Sequence, residues 1–215
     1  MKSLRLWPAL LAFLIATQAY AGGSYGIKGG LNLATVGIKP KREGFDNGYR
    51  PGVAFGGFLM SQDTGGIGIR LELLYLQKGE EYKYDFEFMG HRFRGEGSER
   101  LDYIALPIFM VIPAGGKGGL KRFIELGPEF ALNISARNGN GDNIKKDVSN
   151  MDIGLNLGFG VAWGRLHSDI RYSIGLLNMS KHSSQDSYAK NRCIQLLVGY
   201  AFKSAPPGSA GSYYH

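Results

Sequence analysis

From residue 25 onward, apolar and polar residues alternate in runs with a period of two. In the first run Tyr25, Ile27, Leu31 and Leu33 share a face with Gly29, while Gly26, Lys28, Gly30 and Asn32 share the other. Such alternation marks a strand with two unlike faces. A second run sets Pro51, Val53, Phe55 and Leu59 against Gly52, Ala54 and Gly56. A third sets Ile67, Ile69, Leu71, Leu73 and Tyr75 against Gly68, Arg70 and Glu72. The fourth, residues 100–112, is apolar on both faces and carries Pro107, so its phase is ambiguous. The fifth alternates Ile124, Leu126, Pro128, Phe130 and Leu132 with Glu125, Gly127, Glu129 and Asn133. The sixth alternates Ile153, Leu155, Leu157, Phe159, Val161 and Trp163 with Asp152, Gly154, Asn156, Gly158, Gly160 and Ala162. The seventh opposes Ile170, Tyr172, Ile174 and Leu176 to Asp169, Arg171, Ser173 and Gly175. The eighth opposes Ile194, Leu196, Val198, Tyr200 and Phe202 to Cys193, Gln195, Leu197, Gly199 and Ala201. Eight strands near the 9–11 residues of a tilted membrane strand are expected.

The connections alternate in length. Residues 61–66, 113–120 and 164–165 are short and glycine-rich; residues 35–50, 79–99, 135–150 and 178–191 are long and charged. Long and short in turn is the pattern of an up-and-down meander with one ragged rim. Neither a domain boundary nor a repeat of 20–50 residues is visible.

A soluble ligand-binding barrel would also alternate, with its apolar face inward and large solvated side chains outward. Here the polar face is dominated by glycine, which gains nothing from water and weakens a strand there. Glycine suits a narrow interior shared by eight strands. The charges among these glycines have both signs, as an enclosed set requires if it is to pair. Lys28, Arg70 and Arg171 are therefore expected to neutralise Glu72, Glu125, Glu129, Asp152 and Asp169 in one interior network. The apolar face then meets lipid, with Tyr25, Tyr75, Trp163, Tyr172, Tyr200 and Phe202 at its rims. The reading is an all-β, eight-stranded antiparallel transmembrane barrel over residues 22–203.

Composition sharpens this picture. Glycine is 33 of 215 residues, without a Gly-X-Y period, and aromatics are plentiful. Collagen and wholesale disorder are excluded. Lys2 and Arg5 precede a short apolar run that ends in Ala19-Tyr20-Ala21, the order of a secretory signal peptide over residues 1–21. A buried N-terminal helix is the competing reading. Residues 204–215, rich in Ser, Gly and Pro, read as a flexible tail. The single cysteine excludes an intrachain disulfide.

The same residues resemble a known family. Gly26-Ile27-Lys28-Gly29-Gly30-Leu31-Asn32-Leu33 looks like the opening strand of the PorT-like outer membrane β-barrel family of Bacteroidetes-type bacteria. Leu71-Glu72-Leu73-Leu74-Tyr75-Leu76-Gln77-Lys78-Gly79, Tyr103-Ile104-Ala105-Leu106-Pro107, Glu125-Leu126-Gly127-Pro128 and Arg171-Tyr172-Ser173-Ile174-Gly175-Leu176 are similar to its later strands. The resemblance implies an eight-stranded barrel in the bacterial outer membrane. It implies no single activity, although some members resemble a factor needed for protein secretion. The usual barrel ends at its last aromatic, here Phe202, whereas this chain continues to His215.

Candidate chemistry is sparse. Ser180, His182, Asp186 and Ser187 bring triad residue types into one loop, but a triad is defined by geometry. The four histidines, His91, His167, His182 and His215, lack ligand spacing. No catalytic residue, cofactor or metal is expected, and the chain is not read as an enzyme. The net charge of +7 comes largely from loop lysines and arginines, among them Lys39, Lys41, Arg42, Lys145, Lys146, Lys181, Lys190 and Arg192. Lipid phosphates would attract them, so outer membrane lipids rather than nucleic acid are the expected partners. No small-molecule substrate is expected.

Within residues 79–99, Tyr82, Tyr84, Phe86 and Phe88 alternate with Lys83, Asp85 and Glu87, and a second alternating stretch follows Met89-Gly90. That is a hairpin pattern. The third and fourth runs are thus expected to join as one hairpin reaching past the membrane. Its edge could take up another chain by strand addition, with the four aromatics contacting an envelope or secretion protein. The competing reading is a charged loop whose aromatics rest on lipid headgroups. For the whole protein, the functional reading is a structural or accessory barrel that assists secretion or assembly. A surface-binding barrel and a loop-borne hydrolase are the alternatives.

Overall fold

The computed structural model describes residues 23–39, 44–62, 66–179 and 188–203. The expected signal peptide, the C-terminal tail and the loop carrying Ser180, His182, Asp186 and Ser187 lie outside the described residues. The elements are β1 (Ser24–Lys39), β2 (Phe45–Gly48), β3 (Arg50–Gln62), β4 (Gly68–Phe88), β5 (His91–Lys117), β6 (Leu120–Asn138), β7 (Met151–Trp163), β8 (Leu166–Gly175) and β9 (Tyr188–Lys203). All are strands, and every pairing is antiparallel. The order β4-β3-β1-β9-β8-β7-β6-β5 returns to β4 through the β4–β5 pairing, so eight strands close a barrel. Closure leaves no unpaired edge within the wall, as strands in lipid require.

The faces sort as a membrane barrel demands. Ile27, Leu157 and Val198 point outward and are 54%, 56% and 57% exposed, within a belt that every wall strand supplies. Arg70, Glu72, Glu125 and Arg171 point inward and are at most 3% exposed. The ambiguous strand β5 resolves with Tyr103, Ala105, Phe109 and Val111 inside and Ile104, Leu106 and Met110 outside. At the short-turn rim, Tyr25 packs against Phe202, which packs against Tyr200. At the opposite rim the Tyr75 hydroxyl accepts hydrogen bonds from Gln77 at 3.1 Å and Arg100 at 3.2 Å. Aromatics with a polar tip suit the headgroup level.

Two of the long connections are more ordered than their composition implies. Residues 79–99 are β-ladder on both sides of a Met89-Gly90 turn: β4 and β5 pair without a register shift from Gly68–Val111 out to Phe88–His91. Within residues 35–50, strand β1 runs on to Lys39, and β2 pairs with residues 81–84 of β4, where it prolongs the line of β3. The β6–β7 connection folds inward, and its Val148 packs with Met179, Leu101 and Ala136 across the loop end of the barrel. Phe109, Val111 and Phe123 fill the turn end.

Candidate functional site

Side chains, not open space, occupy the barrel axis. They form two ionic clusters. In the one nearer the short turns, Arg171 donates twice to Glu72, from Nη1 and Nη2, each at 2.7 Å. Its Nε reaches Glu125, which also pairs with Arg70. Arg70 Nε lies 2.9 Å from Glu72, and Lys28 donates to Glu72 at 2.8 Å and to Asp169. The bidentate Arg–carboxylate fork fixes geometry as well as charge. The Arg171 guanidinium sits 4.4 Å from the Phe109 ring centroid, and Arg70 is 5.4 Å from those of Phe109 and Phe123. An aromatic floor thus closes the cluster.

The second cluster lies toward the loops. Lys78 donates to Glu129 at 2.7 Å and to Asp152 at 3.1 Å, and sits 5.2 Å from the centroid of the Tyr103 ring. Asn156 donates to Glu129 and Asn191 to Asp152. Glu129 and Asp152 therefore pair with Lys78 and not with Lys28, Arg70 or Arg171, so the single network expected from sequence is two. Sequence reasoning missed Lys78 because the third run was ended at Tyr75, where its outward apolar face stops. Continuing the parity of Arg70 and Glu72 reaches Lys78 on the same inner face.

Beyond the wall, β4, β5 and β2 form a small three-stranded ribbon. Tyr82, Tyr84 and Phe86 continue the inner parity of β4. Phe45 of β2 packs on Tyr84 at 5.8 Å and on Phe86 at 6.0 Å, and Phe93 of β5 stacks on Phe86 at 5.5 Å between ring centroids. Phe88 ends the strand opposite His91. The outward face instead carries charge: Asp85 accepts from Arg92 at 2.7 and 2.8 Å and from Arg94 at 2.9 Å. The aromatics thus share the face that continues the inner parity of β4, opposite the charged face. Of the two hairpin edges at which strand addition was expected, that of β4 is taken by β2 along residues 81–84. The β5 edge is paired with β6 only as far as Glu99. Phe45 and Phe93 were absent from the sequence-based surface, because their neighbourhood comes from cross-strand register.

At the base of the ribbon, Glu80 and Glu99 lie directly opposite one another. Burial, then the facing Glu99, pushes the Glu80 carboxyl up to about 7, against a hydrogen bond from Asn47. Burial also raises Glu99. Arg92 and Arg94 hold Asp85 below the usual carboxylate range.

A family model described as the outer membrane protein beta-barrel domain matches residues 19–181 of the chain. Among solved structures, the chain is similar to Ail, the attachment invasion locus protein of Yersinia pestis. The identity is 14% and the TM-score 0.42, over 84% of this chain and 99% of that one. It is similar to Neisserial surface protein A at 14% identity and a TM-score of 0.47, over 83% and 97% of the two chains. It is also similar to the outer membrane protein OprG from Pseudomonas aeruginosa at 12% identity and a TM-score of 0.45, over 85% and 97%. No curated protein matches the chain.

Proposed function

Because the chain belongs to the outer membrane protein beta-barrel domain family, and so is a barrel of the bacterial outer membrane, we propose that it is a closed accessory barrel. Its three-stranded ribbon engages another envelope protein. The observation that carries this reading is the one-sided aromatic face of Tyr82, Tyr84, Phe86, Phe45 and Phe93, on the part of the ladder beyond Gly79. Phe86 and Phe93 are 37% and 46% exposed. Rigid aromatics supply contact area at low entropic cost, which is why they dominate interface centres. The resemblance to PorT-like barrels favours a secretion or assembly machine as the partner. Loop lysines and arginines rest on lipid phosphates in this reading.

The filled axis supports a role without transport. Interior side chains fill an eight-stranded barrel, and here ionic clusters cross it between two apolar layers. Purified protein in planar bilayers is expected to give no steady nanosiemens conductance.

A photo-crosslinking residue at Phe93 tests the partner in intact outer membranes. The expected product is a discrete protein adduct that Phe86→Ser removes, while heat-modifiable gel mobility persists. A probe at lipid-facing Leu157 serves as the control. Adducts at both positions alike, or none at Phe93, defeat the proposal. Loss of whole-cell attachment to a surface, with no envelope adduct, would instead favour the surface-binding reading.

A further inference from the structure

Arginine faces arginine where the wall meets the long connections. Arg100 of β5 and Arg137 of β6 are direct cross-strand partners. The next pair along, Leu101 and Ala136, is 0% and 1% exposed inside the barrel, so the two arginines share the outward face. Like charges directly opposite one another are destabilising. On its other side Arg100 faces Gly79, which has no side chain to offer.

A third cation joins the pair. The register shift between Asp102 and Tyr103 leaves Ile134 of β6 without a partner, and its carbonyl accepts from Lys145 Nζ at 3.3 Å. Arg137 also bridges to Asn143, two residues before Lys145. Arg100 donates from Nε to Asp102 at 2.9 Å and from Nη2 to the Tyr75 hydroxyl at 3.2 Å. Among the described residues, neither Arg137 nor Lys145 pairs with a carboxylate; Asp142 accepts from Asn138 instead. Three cations therefore meet one carboxylate, an excess of two positive charges. Toward the turns, the outward face of the same two strands is apolar: Ile104 pairs with Leu132 and Leu106 with Phe130, and all four are exposed.

We propose that Arg100, Arg137 and Lys145 form a headgroup site for a phosphate monoester borne by a lipid of the outer leaflet. Such a group carries about −1.5 to −2 charge near neutral pH and presents three acceptor oxygens, which matches the excess. Guanidinium forks bind phosphate at two points. The cations alone would serve a soluble anion; the apolar strip beside them is what assigns the phosphate to a lipid, whose acyl chains it takes. Long connections lie at the outer-leaflet end of such barrels. Gly79, across from Arg100, is also where the outward side chains of β4 change from apolar to charged, the level of the headgroups. The site does not depend on the protein partner of the ribbon: the Phe93 adduct can fail while it holds, and the reverse.

The test is fluorescence quenching by lipids brominated in their acyl chains, with the whole protein in bilayers. The reporter is Leu132→Trp in a chain carrying Trp7→Phe and Trp163→Phe; Trp163 of a Trp7→Phe chain reports the opposite rim. Brominated phosphatidic acid, a monoester, is expected to displace phosphatidylcholine at position 132 with a relative binding constant of at least about ten. Phosphatidylglycerol, a diester, is expected to be weaker, and Trp163 is expected to show no such preference. Arg137→Gln is expected to cut the preference at least threefold, and Arg100→Gln with Arg137→Gln to abolish it, with heat-modifiable mobility retained. Equal binding of phosphatidic acid and phosphatidylcholine at position 132 overturns the proposal, as does a preference equally large at Trp163 or one that survives Arg137→Gln. Equal preference for phosphatidylglycerol overturns the monoester assignment, and displacement of phosphatidic acid by excess inorganic phosphate overturns the lipid as its source. Should the double variant not fold, Arg137→Gln alone decides.

Discussion

Strands β4 and β5 pass through two surroundings, and their polarity inverts between them. Within the wall, β4 turns Arg70, Glu72 and Lys78 inward and Ile69, Leu71 and Leu73 outward. Beyond Gly79, the inner parity carries Tyr82, Tyr84 and Phe86, and the outer parity carries Lys83, Asp85 and Glu87. The register does not slip across this point. What changes is the medium outside, from hydrocarbon to water. A strand face therefore reports what it meets, and the crossover near Gly79 marks the upper limit of the lipid belt. The charges follow the same division: inside the wall they are enclosed and paired, while on the ribbon they lie in water.

The sharpest way to break this contrast is to remove one charge from each region. Arg171→Ala leaves Glu72 and Glu125 with a lost partner in a site sealed from water. Stranding a buried charge costs roughly 3–5 kcal/mol, so its denaturant midpoint is expected to fall markedly. Arg92→Ala removes a partner that is fully in solvent, and exposed ion pairs contribute little. Its midpoint is expected to match wild type. Equal losses in the two variants would mean that the wall interior is hydrated enough to screen its charges.

A gentler variant compares glycines. A Cβ on Gly127 would fall on the Ile108 carbonyl of the neighbouring strand, which is backbone and cannot move aside. Gly127→Ala is expected to cost at least the roughly 1–3 kcal/mol of overpacking, read as a lower denaturant midpoint. A Cβ on Gly95 meets only the Tyr84 ring, which can swing away. Gly95→Ala is expected to leave the midpoint nearly unchanged while altering Tyr84 fluorescence. A Gly127→Ala barrel as stable as wild type would show that the wall yields at that point.

The wall was legible in the sequence because lipid outside and crowding inside impose opposite demands on alternate residues over eight strands. Isolated polar residues among glycines, such as Glu125 beside Gly127, betrayed the inner face. The pairing partners were not legible, since Arg171 and Glu72 are 99 positions apart and meet only when the barrel closes. Lys78 escaped because its strand was ended where the apolar face ended, although the ladder continues. Composition disguised the ribbon as a loop, yet period-two alternation about Met89-Gly90 placed its turn. Nothing in residues 45–48 signals a strand by itself; β2 exists because the β4 edge beside it was unpaired.

Acidity separates the two ends of the ribbon. The folded-state pKa of Glu80 is raised above its ordinary value, to about 7. A carboxyl so raised favours folding least where the unfolded chain is ionised and the folded one resists ionisation. The base, with Glu80 opposite Glu99, is therefore expected to be firm below the ordinary carboxylate pKa and to loosen as pH rises toward 7. Amide exchange at Asn47 and Glu81, corrected for its intrinsic pH dependence, reads this directly. Glu80→Gln is expected to flatten the profile; an unchanged profile would place the titration elsewhere.

The smallest expected effect lies in the Asp85 fork. Asp85 binds Arg92 and Arg94 on the outer face, and its backbone N–H donates to the Gly44 carbonyl at 2.7 Å. The side-chain bonds depress its pKa, so their contribution is present above the ordinary carboxylate pKa and is lost as pH falls below it. That is opposite in sign to the Glu80 response a few residues away. Asp85→Asn removes the charge but leaves the backbone bond. Because the fork stands in water, where such pairs are nearly neutral in energy, the barrel midpoint is expected to stay at its wild-type value. Only amides 91–94 should exchange faster, and added salt should produce the same change in wild type. A fall in the barrel midpoint would mean that the ribbon and wall unfold as one unit, so that the inversion at Gly79 divides the surroundings of β4 and β5 without dividing their stability.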